Sequence, residues 1–207
     1  MGFFIPKATF FFFSLSFIQD ENLMISEKEL IDGCKKGKAK YQKQLYEMYS
    51  PVLMGICLRY AKNQMEAEDI LQDAFIKIFT KIETYRGEGS LDSWLKRIVI
   101  HTAINAYHKN SAKAGEIDID DLNGNLEDVS ITDSDSLTAK LLLGFIEELP
   151  DGYRTAFNLY EIDGYSHKEI AEMLGCAPVT VRTQLFKAKE TLKKRIEKHL
   201  KNKNEIL

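Results

Sequence analysis

The sequence predicts an all-α protein: two small helical domains joined by a flexible acidic linker. Three observations carry this. Apolar residues recur at helical spacing over long stretches, and only 4 prolines and 12 glycines punctuate 207 residues. One internal stretch, Gly115 to Ser136, is rich in Asp, Asn, Ser and Gly and holds no sustained period. Such a composition cannot bury enough apolar surface to fold alone. Near the C-terminus, a capped short helix, a glycine and a proline-led second helix follow one another in one register, which is a helix-turn-helix pattern. The expected division is a leader 1–23, a first domain 24–112, a linker 113–136 and a second domain 137–201.

The leader contains Phe10, Phe11, Phe12, Phe13, Leu15, Phe17 and Ile18. It is open to three readings. It could be the apolar part of a signal peptide, although Lys7 is the only basic residue before it and no small-residue cleavage site follows. It is too short to be a spanning helix. The third reading places the natural start at Met24, where an ordinary amphipathic pattern begins at once, with the upstream residues an artefact or a disordered extension. On that reading a chain begun at Met24 is expected to be fully active in vitro. Loss of activity on this truncation would overturn it.

From about Glu27 to His108 the spacing predicts four helices. The second, around Ala39 to Arg59, carries Leu45, Met48, Tyr49, Val52, Leu53 and Ile56 on one side, with Pro51 expected to kink or divide it. The third, about Gln64 to Ile82, has an apolar stripe of Ala67, Leu71, Ala74, Phe75, Ile78 and Ile82. Its second, polar stripe is Glu66, Asp69 and Asp73, with Gln72 and Ile76 beside it. Taken alone, such a stripe is a solvated face. The loop Tyr85-Arg86-Gly-Glu-Gly-Ser follows, and Ser90 suits the N-cap of a fourth helix. There Trp94, Leu95, Ile98 and Thr102 can pack inward. Arg97, His101, Asn105 and His108 recur as a polar stripe, with Lys96 and Lys109 near it. Aromatic and basic groups above a glycine-rich loop suit the capture of unstacked bases. The competing reading is a core Trp beside a solvated face. His101 and His108 are two turns apart, too far for one metal ion without further ligands.

Beyond the linker, helices are expected over Leu137–Leu149, Tyr153–Ile162, Ser166–Leu174 and Pro178 to about His199. Ser166 and Glu169 have capping-box spacing. Ala171 is small where two helices would cross, Gly175 supplies a left-handed stop, and Pro178 suits a first helical position. Val181, Leu185, Ala188 and Leu192 give the last helix a buried face. On its other side, Thr180, Arg182, Thr183, Phe186 and Lys187 are candidate DNA contacts, since Arg can grip a guanine edge and Thr or an apolar ring can meet a thymine methyl. Lys189, Lys193 and Lys194 could neutralise phosphates. The bland alternative is a helical corner with a solvated basic face.

Net charge is −3, so the distribution matters more than the sum. The chain is strongly basic from Arg182 to Lys203, and holds no Lys or Arg from Glu116 to Asp135. Cys34, Cys57 and Cys176 form neither a zinc motif nor a disulfide framework, which fits a reduced cytoplasmic setting. No nucleophile–base pair, phosphate loop or metal cluster points to an enzyme, a cofactor or a small-molecule substrate.

The two constellations, in this order around an acidic linker, resemble RNA polymerase sigma factors of the extracytoplasmic-function group of the sigma-70 family. The resemblance covers about Ile25 to Lys194. It is carried by Ala67-Glu-Asp-Ile-Leu-Gln-Asp-Ala-Phe-Ile-Lys-Ile-Phe, by Tyr85-Arg-Gly, by Trp94-Leu-Lys-Arg-Ile, and by Leu149-Pro-Asp-Gly-Tyr-Arg through the helix-turn-helix to Lys187-Ala-Lys. It implies that Asp69, Gln72 and Asp73 dock on the polymerase clamp helices. It implies that the loop from Arg86 to Ser90, with Lys96, Arg97, His101 and Asn105, melts and holds the proximal promoter element. The helix from Pro178 would read the distal element, and the linker would thread toward the RNA path. The implied partners are core RNA polymerase (clamp helices and flap), promoter DNA and an anti-sigma factor, often membrane-bound. Ala177 departs from the family's usual capping Ser or Thr, and so does the Phe-rich leader from its usual start. The alternative is a stand-alone helix-turn-helix regulator, which would bind duplex promoter without polymerase.

Overall fold

The computed structural model describes residues 25–114 and 136–205. The leader readings and most of the linker lie outside the described residues. Those described form helices and no strand.

In the first unit, α1 (Glu27–Lys35), α2 (Ala39–Tyr60), α3 (Gln64–Lys81) and α4 (Leu91–Ala114) pack as a bundle. Ser26 caps α1 by accepting the Glu29 N–H. Gly33 lies flat against the Tyr41 ring, where a Cβ would come within 2.2 Å of the ring carbon, so α1 and α2 meet closely there. The α3 stripe is buried as expected, with Ala67, Ala74 and Ile78 fully inside. In α4, Leu91, Leu95, Val99, Ala103 and Ile104 complete the core, and Thr102 is buried through its bond to the Ile98 carbonyl.

Two expectations on α2 need correction. Met48 is 51% exposed and Val52 53%, so the buried face is narrower than Leu45 to Ile56 read as one side. The true inward arc is Leu45, Leu53, Ile56, Cys57 and Tyr60, with Tyr49 half-buried; Met48 and Val52 lie around the helix from its centre. Nor does Pro51 divide the helix, which runs on to Tyr60. Pro51 and Glu47 are both exposed, so the carbonyl that the missing N–H leaves free faces water.

The second unit comprises α5 (Ser136–Glu147), α6 (Asp151–Phe157), α7 (His167–Leu174) and α8 (Pro178–Glu205), with a π-helical turn over Asn158–Ile162 continuing α6. Two arginines terminate α5. Buried Arg154 donates to the Glu147 carbonyl at 2.9 Å and to Asp151, and Arg195 donates to the Phe145 carbonyl at 3.1 Å. Between them they satisfy carbonyls that the helix end leaves without partners. The capping box at Ser166 and Glu169 is fully formed. Gly175 stops α7 at φ 63°, and the Cys176 N–H returns to the Ala171 carbonyl. A Cβ at Gly175 would meet nothing within 4 Å, so Gly175→Ala carries a backbone cost alone. That cost is about 1–2 kcal/mol for a non-glycine residue in left-handed geometry. A matching fall in stability should appear in urea denaturation; no fall would mean that the turn relaxes without it.

The two units are not apart. Ala156, Leu159, Ile170, Val181 and Leu185 join the core of the first bundle. Asp163 accepts from Arg59 Nη2 at 2.8 Å and from the Tyr60 hydroxyl at 2.5 Å. Asn158, fully buried, donates to the Arg59 carbonyl at 2.8 Å, and Lys62 pairs with Asp151 at 2.9 Å.

Candidate nucleic-acid interface

The outward face of α8 is set by what the opposite face buries. Val181, Leu185, Ala188 and Leu192 turn inward at a helical period. That leaves Arg182, Thr183 and Phe186 on the outside, with Phe186 64% exposed. Pro178 opens the helix, and the Ala177 carbonyl accepts the Thr180 N–H at 2.9 Å. Thr180 is half-buried. Thr183 spends its hydroxyl on the Val179 carbonyl at 3.0 Å, so its methyl is the group left to offer. Lys187 is half-buried with its ammonium 5.9 Å from the Tyr153 ring centroid, less outward than the spacing alone suggested. Among the phosphate candidates, Lys189 pairs with Glu161 at 2.6 Å and Lys193 approaches Glu197 at 3.9 Å.

The second set stands on α4. Ser90 caps it through the Ser93 N–H. The loop before it is braced from within: the buried Tyr85 donates its hydroxyl to the Gly89 carbonyl at 2.8 Å and packs its ring 5.4 Å from Trp94. Lys35 holds the Tyr85 carbonyl at 2.8 Å. Gly87 and Gly89, at φ 77° and 92°, allow the tight path that leaves Arg86 exposed. Arg97, His101 and Asn105 share one exposed side of α4, while Lys96 turns off it to pair with Asp92 at 2.7 Å. Partial burial, then the charges of Arg97 and Lys81, push the His101 imidazole below its ordinary value. This favours the neutral imidazole, which can both donate to and accept from a base edge. His108, part of the same period, instead meets the Met173 carbonyl through Nε2 at 2.9 Å.

Sequence reasoning missed the basic flank of this stripe. Lys77 donates to Thr102 at 3.2 Å, and Lys81 lies within electrostatic reach of His101. Their four-residue spacing on α3 was the available signal.

The third set is on α3. Asp69, Gln72 and Asp73 are all exposed, and Met65 (72% exposed) and Ile76 (64%) extend the same face. The patch is thus acidic with apolar ends. Glu66, which the spacing had joined to it, is drawn away: its carboxylate accepts the Lys62 N–H at 2.7 Å and the Asn110 amide. Among the described residues, no group of His, Cys, Asp and Glu could hold a metal ion.

Two family models match: one described as Sigma-70 region 2 over residues 45–113, and one described as Sigma-70, region 4 over residues 139–192. The ECF RNA polymerase sigma-E factor of Haemophilus influenzae is 29% identical over 183 residues, covering 84% of this chain and 96% of that one. The chain belongs to the extracytoplasmic-function group of the sigma-70 family. Similarity extends to the RNA polymerase sigma-H factor of Pseudomonas aeruginosa, at 28% identity over 83% of this chain and 94% of the relative. A solved structure of the sigma factor RpoE with the anti-sigma factor NepR from Bartonella quintana aligns with a TM-score of 0.48 at 22% identity, covering 75% of this chain and 96% of that one. A sigma factor is a non-enzymatic initiation factor that directs RNA polymerase to promoters. The region 2 match spans most of α2 with all of α3 and nearly all of α4, and the region 4 match contains the helix-turn-helix of α7 and α8.

Proposed function

We propose that this sigma factor divides promoter recognition between two helices and docks on polymerase through a third. Arg182, Thr183 and Phe186, with Thr180 and Lys187 at their margin, read the distal element as intact duplex. Arg97, His101 and Asn105, with Arg86 and Lys96 nearby, hold the proximal element after it is melted. Asp69, Gln72 and Asp73 meet the basic surface of the clamp helices. The observation that carries the reading is Phe186: a ring 64% exposed, flanked by Arg182 and Thr183 on a helix otherwise rooted by buried apolar groups. An apolar ring left in water beside a donor fork fits the edge of a base pair, where thymine offers a methyl and guanine two acceptors.

The division into 24–112, 113–136 and 137–201 goes with these roles, the acidic linker joining the two DNA-reading units. The protein acts in the cytoplasm, where the core polymerase it would direct works. An anti-sigma factor, often membrane-bound in this family, restrains it until a signal arrives. The test is run-off transcription with core polymerase on a pool of genomic fragments. Discrete products that need both core and this chain are expected. Tight duplex binding by the chain alone, without run-off, would favour a stand-alone regulator instead.

A further inference from the structure

We propose that Tyr85 and Lys35 are positioning residues for strand capture: together they hold the loop from Arg86 to Ser90 in its working shape before any promoter strand arrives. The inference rests on the reading of that loop as part of the proximal-element site, and it adds two residues to which that reading gives no role. Tyr85 is 6% exposed, and Lys35 is half-buried with its ammonium engaged by the protein itself. Both therefore act on the strand through the loop and not by touching it.

By composition the loop should be loose. Arg86, Gly87, Glu88 and Gly89 are all exposed, and the two glycines stand at φ 77° and 92°. Glycine leaves the unrestrained backbone many states to lose. A loop that ordered only on meeting DNA would subtract that entropy from the affinity, whereas one held beforehand does not. The restraints converge on Tyr85. Its N–H donates to the Ile82 carbonyl at 3.2 Å, its carbonyl accepts the Lys35 ammonium at 2.8 Å, and its ring packs 5.4 Å from Trp94. Its hydroxyl donates to the Gly89 carbonyl at 2.8 Å, which closes the loop across its neck. At the far end, Ser90 accepts the Ser93 N–H on its hydroxyl and the Trp94 N–H on its carbonyl, each at 3.2 Å.

Lys35 stands in the last turn of α1, 50 positions before Tyr85, so it ties the loop to a helix that carries none of the candidate DNA contacts. It belongs to a lysine-rich stretch with Lys36, Lys38, Lys40 and Lys43, a composition that by itself suggests phosphate contacts. Lys36, Lys38, Lys40 and Lys43 are exposed, and Lys35 is drawn inward to the Tyr85 carbonyl. The Tyr85 hydroxyl is the restraint that can be removed most cleanly. Gly89 is exposed, so water takes its carbonyl once the hydroxyl is gone, and the ring stays packed on Trp94. Tyr85→Phe should therefore free the loop at little cost to the stability of the bundle.

The test uses the full chain assembled with core polymerase. The probe is a fork whose proximal element is single-stranded, taken from a promoter found by run-off. Tyr85→Phe and Lys35→Met should each weaken binding to it by roughly threefold to tenfold, the worth of one intramolecular hydrogen bond. Binding to the duplex distal element should not change. Lys35→Arg keeps a donor for the Tyr85 carbonyl and should bind the probe as the wild type does. In the free chain, NMR relaxation should give lower order parameters at Gly87 and Gly89 in Tyr85→Phe. Lys35→Met should keep the wild-type salt dependence of probe binding, whereas losing a lysine from a phosphate would reduce the slope by about 0.7. Unchanged order parameters in Tyr85→Phe would overturn the brace. A reduced salt slope would make Lys35 a DNA contact and overturn its positioning role. Arg86→Ala separates the brace from the reading beneath it. Weak probe binding by Arg86→Ala with normal binding by Tyr85→Phe would overturn the brace alone. Normal binding by both would overturn the reading of the loop, and the brace with it.

Discussion

Reversing the acidic face of α3, with Asp69→Lys and Asp73→Lys together, is expected to weaken binding to core polymerase by at least thirtyfold while leaving the chain helical. Both carboxylates are exposed in the free protein and contribute nothing to its core, so the substitution should leave folding nearly untouched. The effect arises on binding. A clamp surface that carries basic groups would face two ammonium groups where it had met two carboxylates. Truncating one partner of a desolvated charge pair costs about 2–5 kcal/mol, and reversal adds repulsion to that loss. Met65 and Ile76 at the ends of the patch should exclude water from it and keep the contact from behaving as a rim pair. The measurement is a titration of core with labelled protein at fixed salt, repeated at higher salt. The wild type should lose affinity with salt and the double variant should lose less. Unchanged affinity would mean that the stripe is merely a solvated face.

Substitutions on α8 and α4 should fail at different steps. Arg182→Ala should weaken distal-element binding and relax its sequence preference, since a bidentate base contact is worth roughly 1–3 kcal/mol of discrimination. Its side chain is exposed and buries no core surface, so the loss should not come through stability. His101→Ala with Asn105→Ala should leave duplex binding at the distal element intact and impair strand opening. The neutral imidazole and the amide can each offer a donor and an acceptor to an unpaired base, and alanine can offer neither. A pre-melted bubble at the proximal element should restore activity only in part, because the bases would be free but the groups that hold them gone. Permanganate footprinting beside a duplex-binding assay, both with polymerase present, separates the two outcomes. Opening abolished by Arg182→Ala on a promoter still bound normally, or distal preference altered by the α4 pair, would refute the division of labour.

Much of the local structure was legible in the chain because it depends on neighbours a few residues apart. The third-helix stripe from Ala67 to Ile82, the cap at Ser90, the capping box at Ser166 and the left-handed stop at Gly175 all stand where spacing placed them. The outward set Arg182, Thr183 and Phe186 was equally readable, since Val181 and Leu185 settle which way the helix faces. Spacing alone misjudged side chains whose surroundings come from another element. Met48 and Val52 look like core in a helical pattern, but α2 presents a narrower arc to α1, α3 and α4. Glu66 shares the period of Asp69 and Asp73, yet the Lys62 N–H and Asn110 claim its carboxylate.

The sequence by itself determined the helical class, the helix-turn-helix, the acidic break between two apolar-patterned segments, and which residues could not be core. These follow from periodicity, from caps and from glycine and proline geometry, all short-range. The tertiary structure decided how the two segments meet. Asp163 lies in a turn that reads as ordinary punctuation, Asp-Gly-Tyr, and nothing within ten residues marks it as the partner of Arg59 and Tyr60. Asn158 sits mid-helix as an unremarkable amide until the end of α2 is brought against it. Contacts across about a hundred residues depend on the shape and orphan polar groups of two finished surfaces, and no local pattern encodes that complementarity.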